Sequence, residues 1–221
     1  MDMGFIKWIN HAGFLIENNG KHIYIDPFAL SDSYSFPKAD MIFITHPHFD
    51  HFSMQDIRKI AVDGTTFVVP RDTASKISYM NVIAVGPNES GIADSTPFET
   101  IPAYNKVKER RSFHSPSSGW VGYVLKLNEA TIYHAGDTDV INEMSRVDVD
   151  IALIPMGGTY TMDVDDAISA TKLMKVKVVA PMHYKALLGK EKAVEAEEKF
   201  AGAVANAMIM KEIQEPTYSL Q

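Results

Sequence analysis

Cysteine is absent from this chain of 221 residues, which excludes disulfides, thiolate metal sites and a cysteine nucleophile. Any metal must be held by imidazole, carboxylate or carbonyl oxygen, which favours a catalytic site over a closed structural one. A basic excess is also missing: 21 Lys and Arg face 28 Asp and Glu, a net charge of −7. A general nucleic-acid binder would carry a basic footprint, so no nucleic-acid partner is expected. No uncharged apolar run approaches the length of a membrane span. The opening Met1-Asp2-Met3-Gly4-Phe5-Ile6-Lys7 lacks a basic region followed by a long apolar stretch. A soluble cytoplasmic protein without a membrane span is the expectation, and homo-oligomers stay open.

What is present suits one substantial core. Hydrophobic residues make up 46% and charged residues 22%, an ordinary globular balance. We expect a single domain over residues 1–221, a length common for layered folds. Strand-like pieces open the chain at Phe5–Ile9, Phe14–Glu17 and Lys21–Ile25, with Asn18-Asn19-Gly20 as the hairpin signal between the last two. Apolar, β-branched runs recur at Thr66–Val69, Val82–Val85, Val121–Leu127, Thr131–Tyr133, Ile151–Ile154 and Val176–Ala180. Ser53 with Asp56 three residues on predicts a capped helix reaching Ala61, and helical patterns fall at Asp163–Met174 and Lys190–Ala203. Gly86–Ser118, rich in Pro, Ser, Gly and charge, reads as a long irregular loop of the kind that is functional or mobile. An α/β fold with more strands than helices follows.

The strongest chemical signal is Thr45-His46-Pro47-His48-Phe49-Asp50-His51, directly after the apolar Met41–Ile44. Three of the chain's eight histidines and a carboxylate fall within six positions at the end of a buried strand. Neutral imidazole is the commonest protein ligand for zinc and similar ions, and a strand end holds its ligands rigidly. Other chemistry-bearing residues follow strands in the same way: Asp26 after Ile23-Tyr24-Ile25, Asp137 after Thr131–Tyr133, and His183 after Val176–Ala180. Singly, an Asp after Gly is a turn or cap residue and a lone His a satisfied imidazole. Asp26 itself reads equally as a strand-ending turn or as a partner that orients a histidine. His11, His22 and His134 read as structural. The joint pattern, carboxylates and imidazoles at successive strand tips, is what points to a metal site.

That pattern resembles the metallo-β-lactamase fold superfamily over nearly the whole chain. His46-x-His48-x-Asp50-His51 is similar to its signature, Gly136-Asp137-Thr138 to its bridging-aspartate segment, and Pro181-Met182-His183-Tyr184 to its late histidine. Tyr24-Ile25-Asp26-Pro27-Phe28 resembles the early structural aspartate, and Asn10-His11-Ala12-Gly13-Phe14 the strand before it. The branch it most resembles contains ascorbate 6-phosphate lactonase and N-acylphosphatidylethanolamine phospholipase D. The resemblance implies a four-layer αββα sandwich holding two divalent ions, Zn or Mn. His46 and His48 would bind the first metal, Asp50, His51 and His183 the second, and Asp137 both. Where the superfamily places a third histidine for the first metal, Ala103-Tyr104-Asn105 presents an asparagine. His114, the only histidine from 52 to 133, is the favoured replacement, because catalytic sites commonly use three protein ligands. The alternative is Asn105 oxygen or water.

The activity so implied is hydrolysis by a metal-activated hydroxide, with Asp50 as the catalytic residue that moves the proton. The expected substrate is a small anionic ester, lactone or phosphodiester. Lys106-Val107-Lys108-Glu109-Arg110-Arg111, the densest basic cluster, would dock its anion, although a charge run is more often a solvated loop. Pro155–Met162 would line the same face, with Thr159, Tyr160 and Thr161 offering hydroxyls. Phe113 and Trp120 read as core or as pocket cover. A nuclease-like phosphodiesterase and a degenerate, non-catalytic metal-binding module are the alternatives.

Overall fold

The computed structural model describes residues 3–79 and 81–214. Met1 and Asp2, part of the opening segment read above, lie outside the described residues. Among the described residues, twelve strands form two sheets of six. The first contains β1 (Ile6–Asn10), β2 (Gly13–Asn18), β3 (Lys21–Ile25), β4 (Met41–Phe43), β5 (Thr66–Pro70) and β6 (Asn81–Val85), in chain order. The second contains β7 (Ser90–Ala93), β8 (Thr96–Pro102), β9 (Val121–Lys126), β10 (Thr131–His134), β11 (Asp148–Pro155) and β12 (Lys175–Met182), also in chain order across the sheet. Each sheet is mixed. β1 to β3 pair antiparallel and β3 to β6 parallel; β7 to β10 pair antiparallel and β10 to β12 parallel.

Period-two alternation sorts the core. Met41 and Phe43 face the space between the sheets, where Ile23, Ile25 and Val68 meet Phe98, Tyr123, Leu125 and Ile132. Ile42 and Ile44 turn to the outer face and pack with Ile57 and Ile60 of α1 (Met54–Ile60). α2 (Arg71–Ala74) follows β5 on that half. On the second half, α3 (Val164–Thr171), α4 (Lys185–Leu188) and α5 (Lys190–Ala203) follow the parallel strands, and Ala167, Ala170, Ala196 and Phe200 join the apolar cluster. The layers run helix, sheet, sheet, helix, the expected α/β sandwich.

Local chemistry sets the helix starts. Ser53 caps α1 by accepting from the Asp56 N–H, and Asp163 and Asp166 form a reciprocal capping box on α3. Two boundaries are shorter than expected: α1 stops at Ile60 with Ala61 as its cap, and α3 stops at Thr171. The larger correction concerns Gly86–Ser118, of which Ser90–Pro102 is the β7–β8 hairpin rather than loop. Its turn uses Asp94 and Ser95 at positive φ, and β7 is a short edge strand, so neither piece carries a continuous apolar signature.

Candidate metal centre

The segment after β4 and the segments after β10 and β12 meet at one end of the sandwich. Thr45 anchors the first of them: its N–H donates to Asp26 Oδ1 at 2.8 Å and its hydroxyl to Asp26 Oδ2 at 2.6 Å. Asp26 Oδ2 also accepts from His51 Nδ1 at 2.7 Å, which leaves His51 Nε2 facing the site. Asp26 therefore orients a histidine as well as ending a strand. Gly136 follows β10 at φ +63°, and a Cβ there would stand 3.1 Å from Thr45 Cβ. Only glycine lets the Asp137 turn approach the Thr45 turn so closely.

Around Asp137 the imidazoles converge. Asp137 Oδ1 lies 3.3 Å from His51 Nε2, and Oδ2 lies 3.3 Å from His114 Nε2 and 3.2 Å from His183 Nε2. Asp50 Oδ2 lies 3.7 Å from His183 Nε2 and 3.8 Å from His51 Nε2. His46 Nε2 faces His48 Nδ1 at 3.1 Å. Among the described residues, three groups place all their donor atoms within 4.8 Å of one another: His46, His48 and His114; His46, His51 and Asp137; and His11, Asp50, His51 and His183. Every residue expected at the site is thus brought together, His114 included.

Asn105 takes a supporting position. Its Oδ1 accepts from His114 Nδ1 at 2.8 Å, so the His114 Nε2 turns toward Asp137. Asn105 Nδ2 is held in turn by Asp139 Oδ1 at 3.1 Å and by the Tyr160 carbonyl at 3.0 Å. Asp139 also accepts from the Lys106 and Val107 N–H groups, both at 2.7 Å, and pairs with Arg110 Nε at 3.0 Å. Arg110 continues to Asp166 at 2.9 Å and to the Thr161 carbonyl at 2.6 Å. The most buried cation of the basic cluster is therefore spent on holding the loop.

His11 is the residue that sequence reasoning missed. It sits between β1 and β2 at φ +44°, with Nε2 3.0 Å from Asp50 Oδ2 and its ring 3.7 Å from that of His183. The His183 N–H donates to the His11 carbonyl at 2.8 Å. Asp26 (φ +45°) and His183 (φ +58°) share this left-handed backbone, a clustering of strain typical of functional sites. The signal available was a non-glycine residue in a tight inter-strand turn. Trp120 was also under-read: its ring lies 5.2 Å from His46 and 4.9 Å from His48, covering both. His134 is structural as expected, bonded to the Ala12 carbonyl at 2.8 Å, and His22 stands 3.9 Å from Asp40 outside the group.

The electrostatics are those of a donor set awaiting a cation. Burial alone would raise Asp137, but His183 and His51 outweigh it and hold the carboxyl well below its usual range. Burial alone would lower His183, yet Asp137 and Asp50 lift it to about 9. His51 is raised likewise, chiefly by Asp137 against burial. His46 is pushed far down by burial and by the neighbouring His51, and burial with His183 lowers His11 to about 3. Among the described residues, the buried Nε2 atoms of His51, His114 and His183 and Oδ1 of Asp137 have no hydrogen-bond partner. Such orphaned groups are costly unless something satisfies them, and a divalent cation does so for imidazole nitrogen and carboxylate oxygen together. The residues fit the metal that their chemistry implies. A cavity of about 240 Å³ opens onto them, with His48, Asp50, His114 and Asp137 as its floor.

This fold and this His/Asp group define a class. Residues 5–183 match the beta-lactamase superfamily domain, and the chain belongs to that superfamily. Within it, the chain is 35% identical to a UPF0173 metal-dependent hydrolase of Pyrococcus horikoshii over 93% of its own length and 96% of the relative's. It is 32% identical to one of Thermoplasma volcanium over 98% and 99%. The chain is a member of this UPF0173 metal-dependent hydrolase family. Among solved structures, a candidate metal-dependent hydrolase from Parabacteroides distasonis superposes with a TM-score of 0.82 at 29% identity, covering 95% of this chain and 93% of that one. A metallo hydrolase from the archaeon Ignicoccus hospitalis gives a TM-score of 0.72 at 26% identity, covering 94% of each.

Proposed function

We propose that the chain is a dinuclear metal hydrolase that cleaves a small ester, lactone or phosphodiester. The observation that carries this reading is Asp137, whose two oxygens face His51 on one side and His114 and His183 on the other. Zn or Mn held by His46, His48, His114 and Asp137, and again by Asp50, His51, His183 and Asp137, would lower the pKa of water toward neutrality and offset charge on the attacked group. Asp50 is held ionised, since His51, His11 and His183 outweigh the burial that would raise it. It also lines the cavity, so it is placed to take the proton from the attacking water and pass it to the leaving group. His11 fixes the carboxylate through Nε2, and no side-chain nucleophile is needed.

The resemblance to lactonases and phospholipases supports ester and phosphodiester chemistry at the level of reaction class. The anion docking expected of Lys106–Arg111 has less support, because Arg110 is engaged with Asp139 and Asp166. The degenerate-module alternative rested on Asn105, which instead presents His114 to the site.

Metal analysis of the natively purified protein, followed by a panel of lactones, esters and phosphodiesters, tests the proposal. Two equivalents of Zn or Mn with turnover that chelation removes is the expected result. One equivalent or none, with no turnover after reloading, would overturn it.

A further inference from the structure

The walls of the cavity above the His/Asp floor are formed by Phe49, Phe113, Tyr160 and Leu187. No lysine or arginine lines it among the described residues. Phe49 lies in the histidine motif itself, yet 67% of it is exposed, and Phe113, next to His114, is 38% exposed. Both rings are braced from behind: Phe113 meets Tyr160 edge-on at 4.8 Å and Phe49 meets Phe28 at 5.9 Å. Aromatic side chains held beside a polar floor make a concave, mostly apolar wall of the kind that small ligands bind against.

We propose that this cleft takes a neutral ester or lactone whose apolar acyl group, an aryl-alkyl or medium alkyl chain, lies against Phe49, Phe113 and Leu187. The proposal rests on the hydrolase reading above and narrows its substrate class. Cations held by the floor residues would offset charge on the reacting oxygen. Beyond the scissile carbonyl the substrate meets ring and aliphatic carbon, where a second charged group would be desolvated without a partner. Arg110, three residues before Phe113, faces Asp139 and Asp166 instead. Size agrees as well: a cavity of about 150 Å³ accommodates benzene. The roughly 240 Å³ here therefore takes a phenyl ring with its carbonyl.

The test compares p-nitrophenyl phenylacetate, acetate and hemisuccinate on the metal-loaded protein, which share a leaving group and differ only in the acyl chain. Phenylacetate is expected to exceed hemisuccinate in kcat/KM about tenfold or more, the usual discrimination of an apolar pocket. Phe113→Ala and Leu187→Ala should each lower the phenylacetate-to-acetate ratio about fivefold. Saturation-transfer NMR on chelator-treated protein supplies a readout that needs no turnover: 4-phenyl-2-butanone should show contact with the protein and levulinate none. Hemisuccinate cleaved as well as phenylacetate, or a ratio unmoved in both variants, would overturn the inference. Acetate turnover without acyl preference and without ketone binding would overturn it too, leaving the hydrolase reading intact. Selective ketone binding that Leu187→Ala weakens, with no ester, lactone or phosphodiester cleaved, would instead support the apolar cleft and overturn the hydrolase reading.

Discussion

His183 faces two carboxylates, and Asp137 and Asp50 lift its imidazole to about 9 against the opposing effect of burial. Its folded pKa is raised, so its contribution to stability is full below 6.5 and is lost as pH climbs through about 9. A cation needs the same nitrogen unprotonated. Metal affinity should therefore climb over that same window, by up to about tenfold per pH unit for each proton displaced. Chelator competition at several pH values between 6.5 and 9 measures the slope, and a flat profile would refute the assignment of His183. Asn105 is tested beside it. Asn105→Ala frees the His114 ring while leaving the donor atom in place, so the first metal should weaken about 10- to 100-fold. His114→Ala removes the donor and should cost more. Equal metal content in His114→Ala and the parent protein would show that His114 is not a ligand.

The strand ends carry the site, so an element that shifts takes its ligand with it. Gly122 in β9 lies under the end of β10, and a Cβ there would stand 2.6 Å from the His134 carbonyl oxygen and 2.7 Å from that of Ala135. Those atoms are backbone and cannot swing aside. Gly122→Ala should destabilise the protein by about 1–3 kcal/mol and displace the turn that presents Asp137. A lower Tm together with reduced bound metal is the expected pair; a lower Tm with full metal content would uncouple β10 from the site. These same elements show where the sequence was readable. Asp50 and His51 share a motif with His46, so spacing alone revealed them, and β4, β9 and β12 announced themselves as apolar runs. β7 and β8 did not, because Pro97, Pro102 and a polar edge hide their alternation. His11 was silent for another reason. Its partner Asp50 is 39 residues away, and only the pairing of β1 with β2 brings its turn over His183. Likewise Asn105 gains its role from Asp139, 34 residues on, which no local pattern encodes.

Taken whole, the molecule is two β-sheets with the His/Asp group at their seam. His46, His48, Asp50 and His51 follow β4 of the first sheet, whereas His114, Asp137 and His183 belong to the second. Polar bonds also cross this seam away from the site, among them His134 Nε2 to the Ala12 carbonyl, Trp120 Nε1 to Asp72 and Asn128 N–H to Asn18. Tyr123 makes another: its hydroxyl, buried on β9, donates to the Ile44 carbonyl at 2.8 Å and lies 3.2 Å from that of Val68. A cation shared by donors from both halves would bind the folded state and lose half of its donors when the sheets part. Metal at 100 times its Kd should therefore add about 2.7 kcal/mol, and its removal should lower Tm by roughly 5–10 °C for a chain of this size. Tyr123→Phe provides the control, because it loosens the same seam by about 1 kcal/mol without touching a donor. Its Tm should fall, but the further drop on chelation should match that of the parent protein. His183→Ala should behave in the opposite way, with a smaller drop on chelation because the second sheet has lost a donor. Thermal melts of the three proteins with and without chelator decide the matter. A chelator-insensitive Tm in the parent protein would mean that the ions, if bound, do not join the two sheets.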